Sequence, residues 1–105
     1  EAEKMKELGL IKEILPRYRS GYFNHIFSSP VGYSSGYYSY KWSEVLDADA
    51  FQVFKDAGSI FDQETAKKYR KMLSDGGSKD GMELYKEFRG KEPQIEPLLK
   101  KLGIN

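Results

Sequence analysis

From Ser34 to Ala57 the sequence SSGYYSYKWSEVLDADAFQVFKDA holds one glycine and no proline, and its apolar residues recur at helical spacing. Trp42, Leu46, Ala50, Val53 and Ala57 stand near i, i+4, i+8, i+11 and i+15, and Phe51 and Phe54 widen the stripe. A strand alternates with period two, so a pattern this long excludes one. The run predicts a long helix over about 34–57, capped by Ser34 or Ser35 and ended by Gly58 at C′. Asp47 and Asp49 lie two apart and face different directions, which suits solvated or paired carboxylates better than a metal pair.

The flanking segments carry the same signals. Residues 2–8 read as a helix on Ala2, Met5 and Leu8, with Gly9 as its cap, and the apolar period continues through Leu10, Ile11, Ile14 and Leu15 to Pro16. Residues 17–23 read as irregular or extended. Asp62 is placed as an N-cap before a helix with Ala66, Tyr69, Met72 and Leu73 inside, ended by Gly76-Gly77. Ser78 or Asp80 starts the next, with Met82, Tyr85 and Phe88 inside and Gly90 beyond its end. After Pro93 a final helix buries Ile95, Leu98, Leu99 and Leu102 and closes at Gly103. The expected fold is all-α, one helical piece over residues 1–105.

At 105 residues the chain has room for a modest core. Its 17 basic and 16 acidic side chains nearly cancel, which gives no broad field to draw nucleic acid or an anionic membrane. No apolar stretch is long enough to span a bilayer, and no signal peptide opens the sequence. Absence of cysteine removes disulfides and thiolate metal sites and fits a reducing compartment. A chain that starts at Glu1 with a helix under way reads as a fragment.

The chemistry concentrates in Gly21–Trp42, GYFNHIFSSPVGYSSGYYSYKW, which contains the only histidine, His25, the only tryptophan, and five of the eight tyrosines. A polar loop over 25–33 feeds the long helix. On that helix Tyr33, Tyr37 and Tyr40 stand at i, i+4 and i+7 on one face, with Gly36 leaving a slot between them. A phenol is a neutral donor suited to an oxyanion. One histidine without cysteine builds no standard zinc site, and no His-Glu-x-x-His pair, phosphate loop or nucleophile elbow is present. The bland alternative for the tyrosines is an ordinary core with hydroxyls at its edge.

The run His25-Ile26-Phe27 … Gly32-Tyr33-Ser34-Ser35-Gly36-Tyr37-Tyr38-Ser39-Tyr40-Lys41-Trp42 resembles the C-terminal substrate-binding segment of the thimet oligopeptidase and peptidyl-dipeptidase family of zinc metallopeptidases, with bacterial peptidyl-dipeptidases the nearest likeness. The similarity reaches from Pro16-Arg17-Tyr18-Arg19-Ser20 through Glu44–Phe51 to Phe88-Arg89-Gly90-Lys91-Glu92-Pro93. The resemblance implies a helical C-terminal subdomain of a larger two-lobed enzyme that cuts short peptides. Zinc belongs to the full-length enzyme and is bound by parts absent here, so this piece holds no metal ligands and is inactive alone. His25 and Tyr40 would be catalytic, His25 holding substrate backbone and Tyr40 donating to the oxyanion. Tyr33 would close over the substrate, Tyr37 would line the same wall, and Gly32 and Gly36 would complete the binding surface. Partners implied are a short peptide and the missing parts of the same enzyme, with no nucleic acid or membrane. The implied setting is cytoplasmic, with the periplasm as the alternative. Many members have a glycine-rich loop before the first tyrosine; here Ser28-Ser29-Pro30-Val31-Gly32 is longer and stiffened by Pro30. Two further expectations follow. The isolated piece would expose apolar surface and self-associate. The competing function is a stand-alone helical interaction module that docks through its tyrosine-rich face.

Overall fold

The computed structural model describes residues 1–104. It contains six α-helices: α1 Ala2–Glu7, α2 Asn24–Phe27, α3 Tyr38–Asp56, α4 Gln63–Ser74, α5 Gly81–Arg89 and α6 Glu96–Leu102, with a 3-10 turn at Ser20–Tyr22. No strand occurs among the described residues, so the all-α expectation is met. No helix among them is long and apolar enough to cross a membrane. The chain divides into two compact units, Glu1–Tyr38 and the residues from Ser39 onward.

In the first unit α1 ends where Gly9 turns left-handed at φ +86°, and Leu10 N–H donates back to Met5 C=O at 2.9 Å. That reversal stops the helical period, so Leu10 to Leu15 form turns rather than the expected continuation towards Pro16. No residue of this unit is buried. An apolar cleft of about 480 Å³ opens among Met5, Leu10, Ile11, Ile14 and Leu15.

The second unit has a core. Ala50 on α3 and Tyr85 and Phe88 on α5 are buried, and Leu46, Val53, Phe54, Tyr69, Met72 and Met82 pack around them. The rings interlock edge to face, Phe54 with Tyr69 at 6.1 Å and Tyr69 with Phe88 at 5.4 Å. The caps stand where expected. Asp62 accepts from Thr65 N–H at 2.8 Å, Asp80 accepts from Met82 N–H at 2.9 Å, and Gly58, Gly90 and Gly103 take positive φ after their helices. Leu98 is buried, but Leu73, Ile95 and Leu102, expected inside, are exposed. Among the described residues Asp49 is the least accessible side chain, at 0% exposure, inside a helix face that the spacing assigns to hydrophobic packing.

α3 begins at Tyr38, later than the predicted 34, and ends at Asp56. Ser34, Ser35 and Gly36 explain the late start. Serine offers the backbone competing hydrogen bonds, and glycine disfavours a helix by about 1 kcal/mol relative to alanine. Gly36 N–H instead donates to Tyr33 C=O at 3.2 Å, an i to i+3 turn. Ser34 and Ser35 therefore fall short of the capping position.

Candidate functional site

His25 does not sit in a loop. It lies within the short α2, where Ser28 N–H donates to Asn24 C=O at 2.9 Å, so the irregular segment that follows is Ser28–Tyr37 rather than 25–33. Gly32 N–H closes part of it by donating to Ser29 C=O at 3.3 Å. A Cβ at Gly32 would stand 3.2 Å from the carbonyl oxygen of His25 and 3.5 Å from that of Ser29. Glycine is used there because the returning chain passes close over the histidine backbone.

That return brings three of the expected residues together within the first unit. The His25 ring lies 5.4 Å from Tyr33 and 5.8 Å from Tyr37, and the two tyrosines lie 6.3 Å apart. His25 Nε2 is hydrogen-bonded to the Tyr37 hydroxyl. Phe23 completes the cluster, 6.2 Å from His25 and 5.6 Å from Tyr37. Sequence reasoning missed Phe23; its one signal was an aromatic two residues before the histidine. Tyr33 is about half exposed, and Tyr37 somewhat less. The cluster is a shallow aromatic surface with an imidazole in it, able to stack on apolar groups and to hydrogen-bond polar ones.

The i, i+4, i+7 intervals of Tyr33, Tyr37 and Tyr40 do not become a helix face, because Tyr33 and Tyr37 precede α3 and only Tyr40 is helical. Tyr33 and Tyr37 meet through the turn at Gly36 instead. A Cβ at Gly36 would lie 3.8 Å from Tyr33 C=O, an ordinary contact, so no slot requires glycine there. Tyr40 stands in the first turn of α3, in the second unit, with its ring largely exposed.

Sequence reading also missed the buried polar group of the second unit. The Asp49 carboxylate accepts from Tyr85 O–H at 2.7 Å and from Arg89 Nε and Nη2 at 3.0 Å each. Burial pushes its carboxyl up, but the hydrogen bonds from Arg89 and Tyr85 outweigh that and hold it below the ordinary 3.8. Burial first, then the bond to Asp49, pushes the Tyr85 phenol far above its ordinary 10.0. The paired reading of Asp49 is correct. Its partners are distant in sequence, which is why spacing did not reveal them. Asp47 is exposed and pairs with Lys101 at 3.1 Å.

Among the described residues no three His, Cys, Asp or Glu side chains gather into a group that could hold a metal ion. The zinc implied by the resemblance therefore has no ligand set in these residues.

Comparison with known proteins places the chain. The sequence model described as Peptidase family M3 matches residues 1–104. Oligopeptidase A of Escherichia coli strain K12 is 43% identical over 105 residues, covering 97% of this chain and 15% of that protein. Oligopeptidase A of Haemophilus influenzae is 51% identical over 83 residues, 78% of this chain and 12% of that protein. Dipeptidyl carboxypeptidase of Escherichia coli strain K12 is 42% identical over 92 residues, 88% of this chain and 13% of that protein. The chain thus spans between 12% and 15% of the length of these relatives. With the family model matched over nearly every residue, this chain belongs to Peptidase family M3.

Proposed function

We propose that the chain is the C-terminal, substrate-binding part of a metallopeptidase that hydrolyses short peptides. The observation that carries this reading is the clustering of His25, Tyr33 and Tyr37 in a chain matched to the peptidase family over residues 1–104. Oligopeptidase and dipeptidyl carboxypeptidase relatives supply the substrate class.

In this reading His25 donates to a substrate carbonyl and Tyr33 folds over the bound peptide. Tyr37 lines the same wall, and Gly32 lets the backbone pass close beneath it. Tyr40 donates its O–H to the oxyanion that forms when the peptide carbonyl is attacked. A donor aimed at developing negative charge stabilises the transition state more than the ground state. The metal is assigned to the remaining part of the longer enzyme, so the chain alone is inactive, and the setting is the cytoplasm.

The test is hydrolysis of short peptides by the longer enzyme that contains this segment, with and without a zinc chelator. Chelator-sensitive cleavage by that enzyme, and none by residues 1–105 alone, is the expected result. Cleavage unaffected by the chelator sinks the proposal.

A further inference from the structure

We infer that Tyr37 is the positioning residue of His25: its phenol sets the imidazole tautomer so that Nδ1–H is the donor offered to a peptide carbonyl. The inference rests on the reading of His25 as a peptide-binding residue. Its geometric basis is the hydrogen bond between the Tyr37 hydroxyl and His25 Nε2. A neutral imidazole has one N–H and one bare nitrogen, and the bond made at one nitrogen decides which form is present. A phenol O–H is a better donor than its oxygen is an acceptor, so it donates to Nε2 and leaves the proton on Nδ1. Without such a partner, free histidine favours the opposite form, with the proton on Nε2.

The surroundings hold the ring in that pose. Phe23 at 6.2 Å, Tyr33 at 5.4 Å and Tyr37 at 5.8 Å pack beside the imidazole. Tyr37 is reached only after the chain has returned past the Ser28–Gly32 segment, where a Cβ on Gly32 would stand 3.2 Å from the His25 carbonyl oxygen. The hydrogen bond therefore ties the two ends of that segment together. His25 is exposed, so its ring is open to a peptide.

The longer enzyme labelled with ¹⁵N-histidine, its His25 signals identified by their loss in His25→Ala, is compared with Tyr37→Phe by long-range ¹H–¹⁵N spectra, at a pH well above the ordinary histidine range. Tyr37→Phe keeps the ring and removes only the hydroxyl. The Nδ1–H form is expected in the wild type and a shift to Nε2–H in the variant. The same tautomer in both overturns the inference.

Kinetics of the longer enzyme supply the second arm. Tyr37→Phe is expected to lower kcat/KM about tenfold with His25 present and less than about twofold in a His25→Ala background. Equal losses in both backgrounds overturn the positioning role. If His25→Ala itself leaves kcat/KM unchanged, the peptide-binding reading of His25 fails, and with it the role of Nδ1–H. The spectra then still decide the hydrogen bond separately.

Discussion

Arg89 on α5 grips Asp49 on α3 through two parallel N–H donors at 3.0 Å each, with the carboxylate fully shielded from water. Tyr85 adds a third donor at 2.7 Å, leaving neither carboxylate oxygen unpaired. Removing one partner of a buried, hydrogen-bonded pair costs about 3–5 kcal/mol, because the remaining charge stays desolvated. Arg89→Met should therefore lower the thermal midpoint of the second unit sharply. Asp49→Asn keeps the shape while giving up the charge pair, and should cost less. Calorimetry of the two variants checks the order.

The same network gives the second unit a defined response to pH. Asp49 has its folded pKa below 3.8, so its contribution is present above that value and is lost as pH falls through the folded pKa. Tyr85 has its folded pKa raised above 10.0. Its contribution is present below 10.0 and is lost as pH rises towards the folded value. Stability measured by denaturant titration should fall at both extremes. Asp49→Asn should flatten the acid limb, and Tyr85→Phe the alkaline limb.

Two glycines of one helix should respond in opposite directions to alanine. Gly90 follows α5 with φ +80°, a conformation alanine adopts only with strain, so Gly90→Ala should destabilise by about 1 kcal/mol. Gly81, the first residue of α5, has no positive φ, and a Cβ there meets nothing within 4 Å. Gly81→Ala should be neutral or stabilising by up to about 1 kcal/mol. Denaturant midpoints of the two variants decide.

If Tyr40 donates to the oxyanion, Tyr40→Phe in the longer enzyme should lower kcat about 10²–10³-fold with KM little changed. Steady-state kinetics with a short peptide check this, and an unchanged kcat removes Tyr40 from the role.

The first unit leaves Leu8, Ile11, Ile14 and Leu15 more than half exposed. Residues 1–105 in isolation should self-associate through such surface. Sedimentation equilibrium over a range of concentrations should show a rising mean mass, and a clean monomer throughout would count against it.

The fold was legible at most helix ends and at the centre of the second unit's core. Asp62, Asp80, Gly58, Gly90 and Gly103 do what their residue types do at helix ends, and Tyr85 and Phe88 are buried as their period requires. It was illegible where non-local pairing decides. Asp49 is buried because Tyr85 and Arg89 meet it from another helix, and no spacing within α3 could show that. The candidate site divides the same way. The aromatic run around His25 marked the region. The grouping of His25, Tyr33 and Tyr37 comes from a turn at Gly36 and a tight return at Gly32, not from the helical face that their intervals suggested.

α3 is one uninterrupted helix, and Asp49 lies nine residues beyond Tyr40 on it, about 13 Å along the axis. A rod pinned at one point transmits any rotation at the pin to every group mounted on it. The Asp49–Arg89 pair is such a pin, and Tyr40 is mounted on the same rod. If Tyr40 serves the reaction, an Arg89 variant of the longer enzyme should turn over more slowly with KM little changed.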